Sequence, residues 1–283
     1  IPPNRHYLRP VNTLGPEDTF VTYANPATSG SPPVTLIRPP VYFSRYSYST
    51  PLALPMGVAY LAAVLKRAGY PVQILDCVGR DIDRVTLTDD RLCQVQGLDE
   101  ARSVGLIDAS SDIIGFSIMF SQEWPYIREY IKRIRQAFPR ATIVAGGEHV
   151  TGMPEYSLRD CPAIDYLVLG EGELTFLELV HRLRSGQTAD GIGGIATLAE
   201  DGSFVQSGLS PRIAGVTELP WPAWELVDLE GYFRPNFTMG PAHGRNADRG
   251  RVSSAEELDI DGRQFRRDPV PGDQLDRVER RPV

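Results

Sequence analysis

The stretch IIGFSIMFSQEWPYIREYIKRIRQAFPRATIVAGG, which runs from residue 113 to residue 147, decides the fold of this chain. Its first part, Ile113–Met119, is an apolar run that predicts a strand buried on both faces. Trp124–Phe138 then places apolar residues at three-to-four spacing with charged residues between them, which predicts an amphipathic helix. Thr142–Ala145 predicts the next strand, and a strand–helix–strand unit of this kind indicates two parallel strands.

The same alternation continues on both sides of this unit. The further elements that we predict are the strands Val34–Ile37, Val72–Asp76 and Tyr166–Leu169, the helices Met56–Ala68 and Leu174–Leu183, and a hairpin over Gly194–Val205. Strands that alternate with helices predict an α/β fold, here a doubly wound, flavodoxin-like (Rossmann-like) parallel sheet of about five strands with helices on both faces.

The unusual loops of the chain all follow predicted strands. They span residues 39–55, 117–124, 146–154 and 170–173. In a doubly wound sheet the carboxyl ends of the parallel strands meet at one edge, and ligands bind at that edge. The four loops therefore predict a ligand site there.

Composition limits the classes of function. The 283 residues carry a formal net charge of -7, which argues against a nucleic-acid partner because phosphate binding needs a basic face. The longest apolar run, Val58–Leu65, is far shorter than the roughly 20 residues of a membrane span, so we expect no transmembrane helix. Residues Ile1–Arg5 lack the pattern of a signal peptide, and we expect a cytoplasmic protein.

The chain divides into four segments by composition. The composition of residues 1–33 predicts an extended, poorly ordered lead-in. The strand and helix patterns of residues 34–206 predict the sheet domain. Residues 207–245, which include the Pro/Trp-rich stretch Leu219–Trp224, predict a connector. Residues 246–283 are polar and Arg-rich with no period, and they predict a disordered tail.

Two features at the predicted edge fit a ligand site by themselves. Gly146 and Gly147 follow a strand, where glycine permits the close approach of a phosphate or sugar and equally permits a tight turn. Ser117 ends the preceding strand, where its hydroxyl can bond a polar ligand or a nearby backbone group. These residues alone leave both interpretations open.

Six motifs in a fixed order are far more specific. They are Thr50–Leu65, Gly69–Asp76, Gly115–Met119, Gly146–Thr151, Gly170–Glu173 and Leu219–Trp224. Their order and spacing closely resemble the N-terminal half of the cobalamin-dependent radical SAM enzymes, over about residues 34–245. The resemblance implies a domain that holds cobalamin on the carboxyl edge of its sheet.

The resemblance also implies which residues contact the cofactor. Ser117 would face the dimethylbenzimidazole tail, and Gly146 and Gly147 would flank the nucleotide loop. The other predicted contacts are Gly170, Glu171 and Gly172 at the border of the same cavity, together with Pro55, Gly57, Met119, His149 and Thr151. We predict no catalytic residue and no metal-ligating residue in the chain.

The histidines bear on the state of the cobalamin. Residues 39–57 contain none, whereas other cobalamin proteins supply an axial histidine from the loop after the first strand. The radical SAM branch commonly lacks it, so the resemblance implies base-off cobalamin without a histidine ligand. We interpret His149 as a hydrogen-bonding residue beside the ligand, since zinc sites draw on more than one His or Cys. Glu171 and Glu173 could form an acid/base pair, but we favour acidic residues at a helix N-terminus.

The resemblance ends near Arg245. In the family the chain then enters a barrel whose Cys-x-x-x-Cys-x-x-Cys motif holds a [4Fe–4S] cluster that binds S-adenosylmethionine. Here the cysteines are Cys77, Cys93 and Cys161, which are too dispersed for that motif and which we interpret as reduced, structural thiols. We expect neither group in this chain, and interpret it as a truncated or frame-shifted product that is inactive by itself.

Three functions stay open. The first is the cobalamin-binding part of a radical SAM enzyme for methyl transfer, whose barrel lies in a missing segment or a separate chain. The second is a standalone cobalamin carrier for a partner. The third is another flavodoxin-like protein, either a nucleotide or flavin binder or a signalling receiver. It loses ground because Ile37–Pro39 holds no Asp and residues 38–57 hold no Gly-x-Gly-x-x-Gly.

Overall fold

The structure is a computed structural model that describes residues 31–47, 52–213 and 219–233, and the backbone of residues 258–260 and 263–265. The predicted lead-in therefore lies almost wholly outside the described residues. So does most of the predicted tail.

The elements of the described chain follow the predicted alternation. The strands are β1 (Val34–Arg38), β2 (Val41–Ser44), β3 (Val72–Asp76), β4 (Val85–Leu87), β5 (Cys93–Gln96), β6 (Ile113–Ser117), β7 (Thr142–Gly146), β8 (Tyr166–Val168), β9 (Ile195–Leu198), β10 (Phe204–Gln206), β11 (Leu258–Ile260) and β12 (Arg263–Phe265). The α-helices are α1 (Met56–Arg67), α2 (Cys77–Arg80), α3 (Glu100–Val104), α4 (Trp124–Ala137), α5 (Glu148–Gly152), α6 (Pro154–Asp160) and α7 (Gly172–Arg184).

One mixed sheet of seven strands organises the domain, in the order β10-β9-β8-β7-β6-β1-β3. The five strands from β8 to β3 run parallel, and in chain order they have the 2-1-3-4-5 arrangement of flavodoxin-like sheets. This confirms the predicted fold class. The hairpin β9–β10 extends the sheet to seven strands by pairing antiparallel to β8.

Helices cover both faces of the sheet, and each face has its own apolar core. On one face α1 packs beside α7 over residues such as Leu36, Val144 and Val168. On the other face α4 buries Ile127 and Ile131 against the alternate residues of the same strands. The period of 2 in the strands and of 3.6 in α4 accounts for this division.

A second, three-stranded antiparallel sheet in the order β2-β5-β4 was not predicted. We predicted a loop for residues 39–55 and a short helix within residues 77–109. These strands have only three or four residues, and Val85 and Leu87 of β4 are exposed. Their sequence therefore lacks the buried alternation that marks a strand.

Residues 219–233, which we assigned to a connector, are part of the core of the α1 face. Leu219, Ala223, Trp224, Val227, Leu229 and Tyr232 are buried there. Two short 3₁₀ helices, Trp224–Leu226 and Glu230–Phe233, shape this segment. The amide of Ala223 donates to the carbonyl of Ala59 in α1 at 3.0 Å, which docks the segment on that helix.

Within the Arg-rich tail, β11 and β12 pair antiparallel, a local structure that the polar composition did not predict.

In the described ranges, the length and apolar content of every helix fall short of a membrane span.

Candidate cofactor site

A cavity of about 220 Å³ lies between the sheet and the helices α1 and α7. It reaches the carboxyl edge of the sheet, where the strands β6, β7 and β8 end. Its lining residues are Leu36, Gly57, Val58, Leu61, Gly115, Phe116, Ser117, Met119, Val144, Gly146, Gly147, Glu148, Val168, Gly170, Glu171, Gly172, Glu173 and Phe176.

Two cross-strand rows form the floor of this cavity. Leu36, Gly115 and Val144 are direct partners across β1, β6 and β7. One step nearer the carboxyl edge, Ser117 pairs with Gly146, which in turn pairs with Val168. Since side chains two residues apart point to the same face, both rows face α1 and α7.

Glycine in each row creates the space. A Cβ atom at Gly115 would lie 3.1 Å from the Leu36 Cδ2 atom and 3.3 Å from the Phe176 Cζ atom, so any larger residue would fill the inner end. The inner end is lined by apolar side chains, whereas the outer end has Ser117 and three glutamates. The cavity therefore suits a ligand group with an apolar body and a polar attachment.

Gly147 fixes the loop at the mouth of the cavity, which is the end of the cavity at the carboxyl edge of the sheet. Its φ is 107°, a value that favours glycine, and a Cβ atom there would lie 2.4 Å from the carbonyl oxygen of Ile118. The Ile118 amide donates to the Gly146 carbonyl at 2.8 Å, and the His149 amide donates to the Ile118 carbonyl at 3.2 Å. The loops after β6 and β7 are thus joined directly behind the cavity mouth.

Most of the predicted cofactor contacts line the cavity, and three do not. Those that line it are Gly57, Ser117, Met119, Gly146, Gly147, Gly170, Glu171 and Gly172. Pro55 is buried at the start of α1, outside the lining. Thr151 lies behind the mouth, where its hydroxyl oxygen accepts from the Gly170 amide at 3.0 Å and so holds the Gly170–Gly172 turn.

His149 supports the site from behind the cavity wall. Its Nε2 atom lies 3.3 Å from the Ser157 hydroxyl, whose own proton is directed at the Met153 carbonyl at 2.7 Å. Nε2 therefore carries the hydrogen, and Nδ1 accepts from the Ser121 hydroxyl at 3.0 Å. The ring also packs against Trp124 in a tilted arrangement, with 4.6 Å between centroids and 31° between the ring planes. Burial lowers the pKa of His149 and so favours the neutral imidazole, which bridges the segments after β6 and β7.

The lining residues that sequence reasoning missed are mostly apolar. They are Leu36, Val58, Leu61, Gly115, Phe116, Val144, Glu148, Val168, Glu173 and Phe176. Strand alternation could have found several of them, because Gly115 and Val144 lie two residues before the predicted Ser117 and Gly146. The contribution of α1 and α7 depends on how those helices cross the sheet.

A second polar cluster lies where β1 and β3 end. Tyr232 donates to Asp76 at 2.6 Å and accepts from Arg38 at 2.5 Å. Nearby, the buried Glu123 accepts from the Tyr42 amide at 3.1 Å, and burial raises the pKa of Glu123 to about 7. These residues adjoin the edge that carries the cavity mouth but do not line the cavity.

The described residues contain no group of three His, Cys, Asp or Glu side chains that could hold a metal ion. Cys77 and Cys161 are buried free thiols, and burial raises the pKa of Cys77 to about 12. Protonated thiols are poor metal ligands and poor nucleophiles.

Comparisons with known proteins agree with this geometry. Residues 50–180 match the B12 binding domain family. Among curated proteins, an uncharacterized methyltransferase of Pyrococcus horikoshii is 31% identical over 201 residues, which cover 70% of this chain and 39% of the relative. The cytidylyl-2-hydroxyethylphosphonate methyltransferase of Streptomyces wedmorensis is 29% identical over 238 residues, covering 76% and 44% of the two chains.

Solved structures with the same fold include the cobalamin-dependent S-adenosylmethionine radical enzyme OxsB with aqua-cobalamin bound. The TM-score is 0.53 at 20% identity, and the match covers 68% of this chain and 24% of that one. The chain thus spans less than half the length of the curated relatives described above. We conclude that residues 50–180 match a B12 binding domain and that the sheet has the fold that OxsB shares.

Proposed function

We propose that this domain binds cobalamin with the dimethylbenzimidazole tail in the cavity and the corrin ring over the carboxyl edge of the sheet. The observation that carries the proposal is the pair of glycine-containing rows, which open an apolar slot beneath the mouth. Its volume of about 220 Å³ is below the roughly 300–1,000 Å³ of clefts that enclose a drug-sized ligand. Only part of a molecule as large as cobalamin can enter, and the planar aromatic base is the part that fits.

Base-off binding follows from this placement. A base that occupies the slot behind Gly146 cannot also coordinate the cobalt, which would lie outside the mouth. The neutral His149 has both ring nitrogens engaged by Ser121 and Ser157, so it is not available to replace the base. We therefore propose cobalamin without a histidine ligand from this domain.

The family match separates this proposal from a flavin or nucleotide site. Residues 50–180 match the B12 binding domain family. Residues 38–57, which follow the first strand, hold no Gly-x-Gly-x-x-Gly motif of the kind that dinucleotide-binding sites use. We propose cobalamin over those alternatives on this ground.

The wider role proposed here is methyl transfer. Bound cobalamin supplies a transferable methyl group on its cobalt, and this domain binds and orients the cofactor. The [4Fe–4S] cluster and S-adenosylmethionine would be bound outside these residues, in another segment or in a partner chain. A carrier that delivers cobalamin to a separate enzyme is the second candidate, favoured by the fact that the sheet and the site are formed by residues 34–206 alone.

The test is the visible spectrum of hydroxocobalamin bound to the purified chain, compared with its Gly146→Val variant. A Cβ atom at Gly146 would lie 3.5 Å from the Val168 carbonyl oxygen, an ordinary contact, so the variant can fold while its side chain enters the slot. We expect a base-off spectrum for the native chain and loss of cobalamin retention in gel filtration for the variant. Gly105→Ala, at the remote end of α3, is the matched control. A base-on spectrum, or equal retention by Gly146→Val, would contradict the proposal.

A further inference from the structure

Arg38 extends the cross-strand row that contains Ser117. The strands β1 and β6 pair in parallel up to Ile37 and Phe116, so the next position on each strand places Arg38 beside Ser117. Arg38 comes two residues after Leu36 and therefore projects from the same face of the sheet, toward α1. A cation thus lies at the carboxyl edge, one strand away from a residue that lines the cavity.

The guanidinium of Arg38 is anchored at one nitrogen only. Its Nη1 atom donates to the Tyr232 hydroxyl at 2.5 Å, and the same atom lies 3.7 Å from a carboxylate oxygen of Asp76, beyond hydrogen-bond distance. Asp76 is itself satisfied by the Tyr232 hydroxyl at 2.6 Å and by the Val78 amide at 3.1 Å. Tyr232 and Asp76 therefore fix the position of the guanidinium and leave most of its donors unused.

The remaining donors of Arg38 are open to a ligand. Among the described residues, Nε and Nη2 have no hydrogen-bond partner, and both atoms keep some contact with solvent. The side chain as a whole is nevertheless only 15% exposed. Polar groups on side chains that are so largely enclosed are usually hydrogen-bonded. The open Nε–Nη2 edge of the guanidinium therefore indicates a ligand that brings oxygen acceptors to this position.

A phosphodiester has the chemistry that this edge recognises. Two oxygens of a phosphate match two parallel N–H groups of a guanidinium, and the opposite charges strengthen both hydrogen bonds. In cobalamin the phosphodiester of the nucleotide loop links the base to the corrin ring, so a base in the slot brings this phosphate to the mouth. The charged residues that line the cavity, Glu148, Glu171 and Glu173, supply no cation for it.

We propose that Arg38 binds the phosphate of the nucleotide loop and so selects corrinoids that carry this phosphate over those that lack it. The inference rests on the proposed function, since it needs the base to lie in the slot. Arg38 is then a specificity-determining residue that contacts the nucleotide and takes no part in chemistry on the cobalt. Tyr232 and Asp76 are positioning residues, because they act on the phosphate only through the orientation of the guanidinium.

The test compares hydroxocobalamin, cobinamide phosphate and cobinamide by visible titration of the purified chain and of its Arg38→Gln variant. Cobinamide lacks the phosphate and the base, whereas cobinamide phosphate lacks only the nucleoside. We expect Arg38→Gln to bind hydroxocobalamin and cobinamide phosphate about tenfold or more weakly, as the loss of a hydrogen bond to a charged group predicts. Its affinity for cobinamide should stay within about twofold of the native value. A merely structural role would weaken the binding of all three ligands alike.

Two further measurements keep the test decisive. If Arg38→Gln does not fold, the variant R38Q/D76N replaces it, because asparagine can accept from the Val78 amide and donate to the Tyr232 hydroxyl without leaving an unpaired buried charge. If the native chain retains neither truncated corrinoid, the salt dependence of hydroxocobalamin binding decides, since salt screens a contact between phosphate and guanidinium. The native affinity should then fall more steeply with added KCl than the affinity of the variant.

Arg140→Gln is the matched control, because Arg140 is an exposed arginine just before β7, at the opposite, amino edge of the sheet. This variant should bind all three ligands as the native chain does. Equal loss for the three ligands in Arg38→Gln, no loss for any of them, or an equal salt dependence in the native chain and the variant would overturn the assignment. If the native chain binds no hydroxocobalamin at all, the proposed function fails instead, so the two failures are distinguishable.

Discussion

At the scale of single residues, the backbone at Gly147 decides whether the mouth can form. The added methyl of Gly147→Ala would meet the Ile118 carbonyl oxygen at 2.4 Å, at a φ of 107°. We predict a loss of at least about 2 kcal/mol in the free energy of unfolding, since left-handed backbone strain alone costs about 1–3 kcal/mol. Urea denaturation without cobalamin measures this loss.

Gly57→Ala is the matched control for that measurement. A Cβ atom at Gly57 would have no atom within 4 Å, and the residue lies in the first turn of α1. Its free energy of unfolding should be unchanged or slightly higher, because alanine favours a helix by about 0.5–1 kcal/mol over glycine. Equal stability of the two variants would show that the Gly147 contact is not as tight as the structure has it.

Glu123 predicts a dependence of stability on pH. Burial is the main cause that raises its pKa to about 7, and the Tyr42 amide and the Arg38 charge oppose the rise. A carboxyl with a raised folded pKa holds its proton longer in the folded state, so its contribution to stability falls as the pH rises from about 4.5 to 7. We expect Glu123→Gln to remove about 2–3 kcal/mol of that fall, measured by urea denaturation from pH 4.5 to 8.

Glutamine at position 123 keeps an acceptor for the Tyr42 amide, so the variant changes the titration and little else. Glu200→Gln, at an exposed site, should leave the pH profile of the native chain unaltered. Parallel pH profiles for the native chain and Glu123→Gln would show that this carboxyl is ionised in the fold at an ordinary pKa.

At the scale of elements, the segment 219–233 is fastened to the sheet by Tyr232. Its hydroxyl bonds both Arg38 at the end of β1 and Asp76 at the end of β3, and Asp76 is only 2% exposed. We predict that Tyr232→Phe lowers the free energy of unfolding by about 1.5–3 kcal/mol, the range for a buried hydrogen bond to a charged group. Thermal unfolding followed by circular dichroism measures the effect.

Tyr46→Phe removes a hydroxyl from a tyrosine that is 76% exposed, and should leave the melting temperature unchanged. If Tyr232→Phe melts with the native chain as well, residues 219–233 are only loosely docked. In that event the burial of residues 219–233 in the core does not contribute to the stability of the domain.

The elements also show how far the sequence predicts this structure. Long periodic segments such as α4, and apolar runs such as β6, have enough local pattern to be identified together with the parallel sheet that they form. The strand β2 could not be predicted in this way, because its partner β5 follows about fifty residues later and both are short. The local sequence of the Pro/Trp-rich segment is typical of a linker. Its place in the core depends on packing against the apolar face of α1, which the local sequence does not specify.

The residues of the candidate site also fall into those that local sequence predicts and those that depend on packing. Residues that occupy strand ends and turns, such as Ser117, Gly147 and Gly170, have a signature in the sequence and line the cavity. Val58 and Phe176 line the cavity because of the way α1 and α7 pack on the sheet, and no local sequence pattern specifies that packing. His149 was expected beside the ligand, but the fold places it behind the wall as a bridge between loops.

At the scale of the whole molecule, the cysteines predict what the 283-residue chain does not do by itself. Cys77 and Cys161 are buried thiols with pKa values raised by burial, whereas cluster assembly needs thiolates gathered in one loop. We expect anaerobic iron–sulfur reconstitution to give no stoichiometric cluster and no 5′-deoxyadenosine from S-adenosylmethionine. Cobalamin retention by the same preparation is the control, and release of deoxyadenosine would contradict the expectation.

The docking of residues 219–233 on α1 has a consequence for how the chain is made. Ala223 and Ala59, which are joined by the hydrogen bond that docks the segment on α1, are 164 residues apart, so the cover of α1 leaves the ribosome long after α1 does. At about 5–20 residues per second, α1 waits roughly ten to thirty seconds with its apolar face open. During that interval the nascent chain offers this face to water, to other nascent chains and to chaperones. The quality of newly made protein therefore depends on what binds α1 before its own cover arrives.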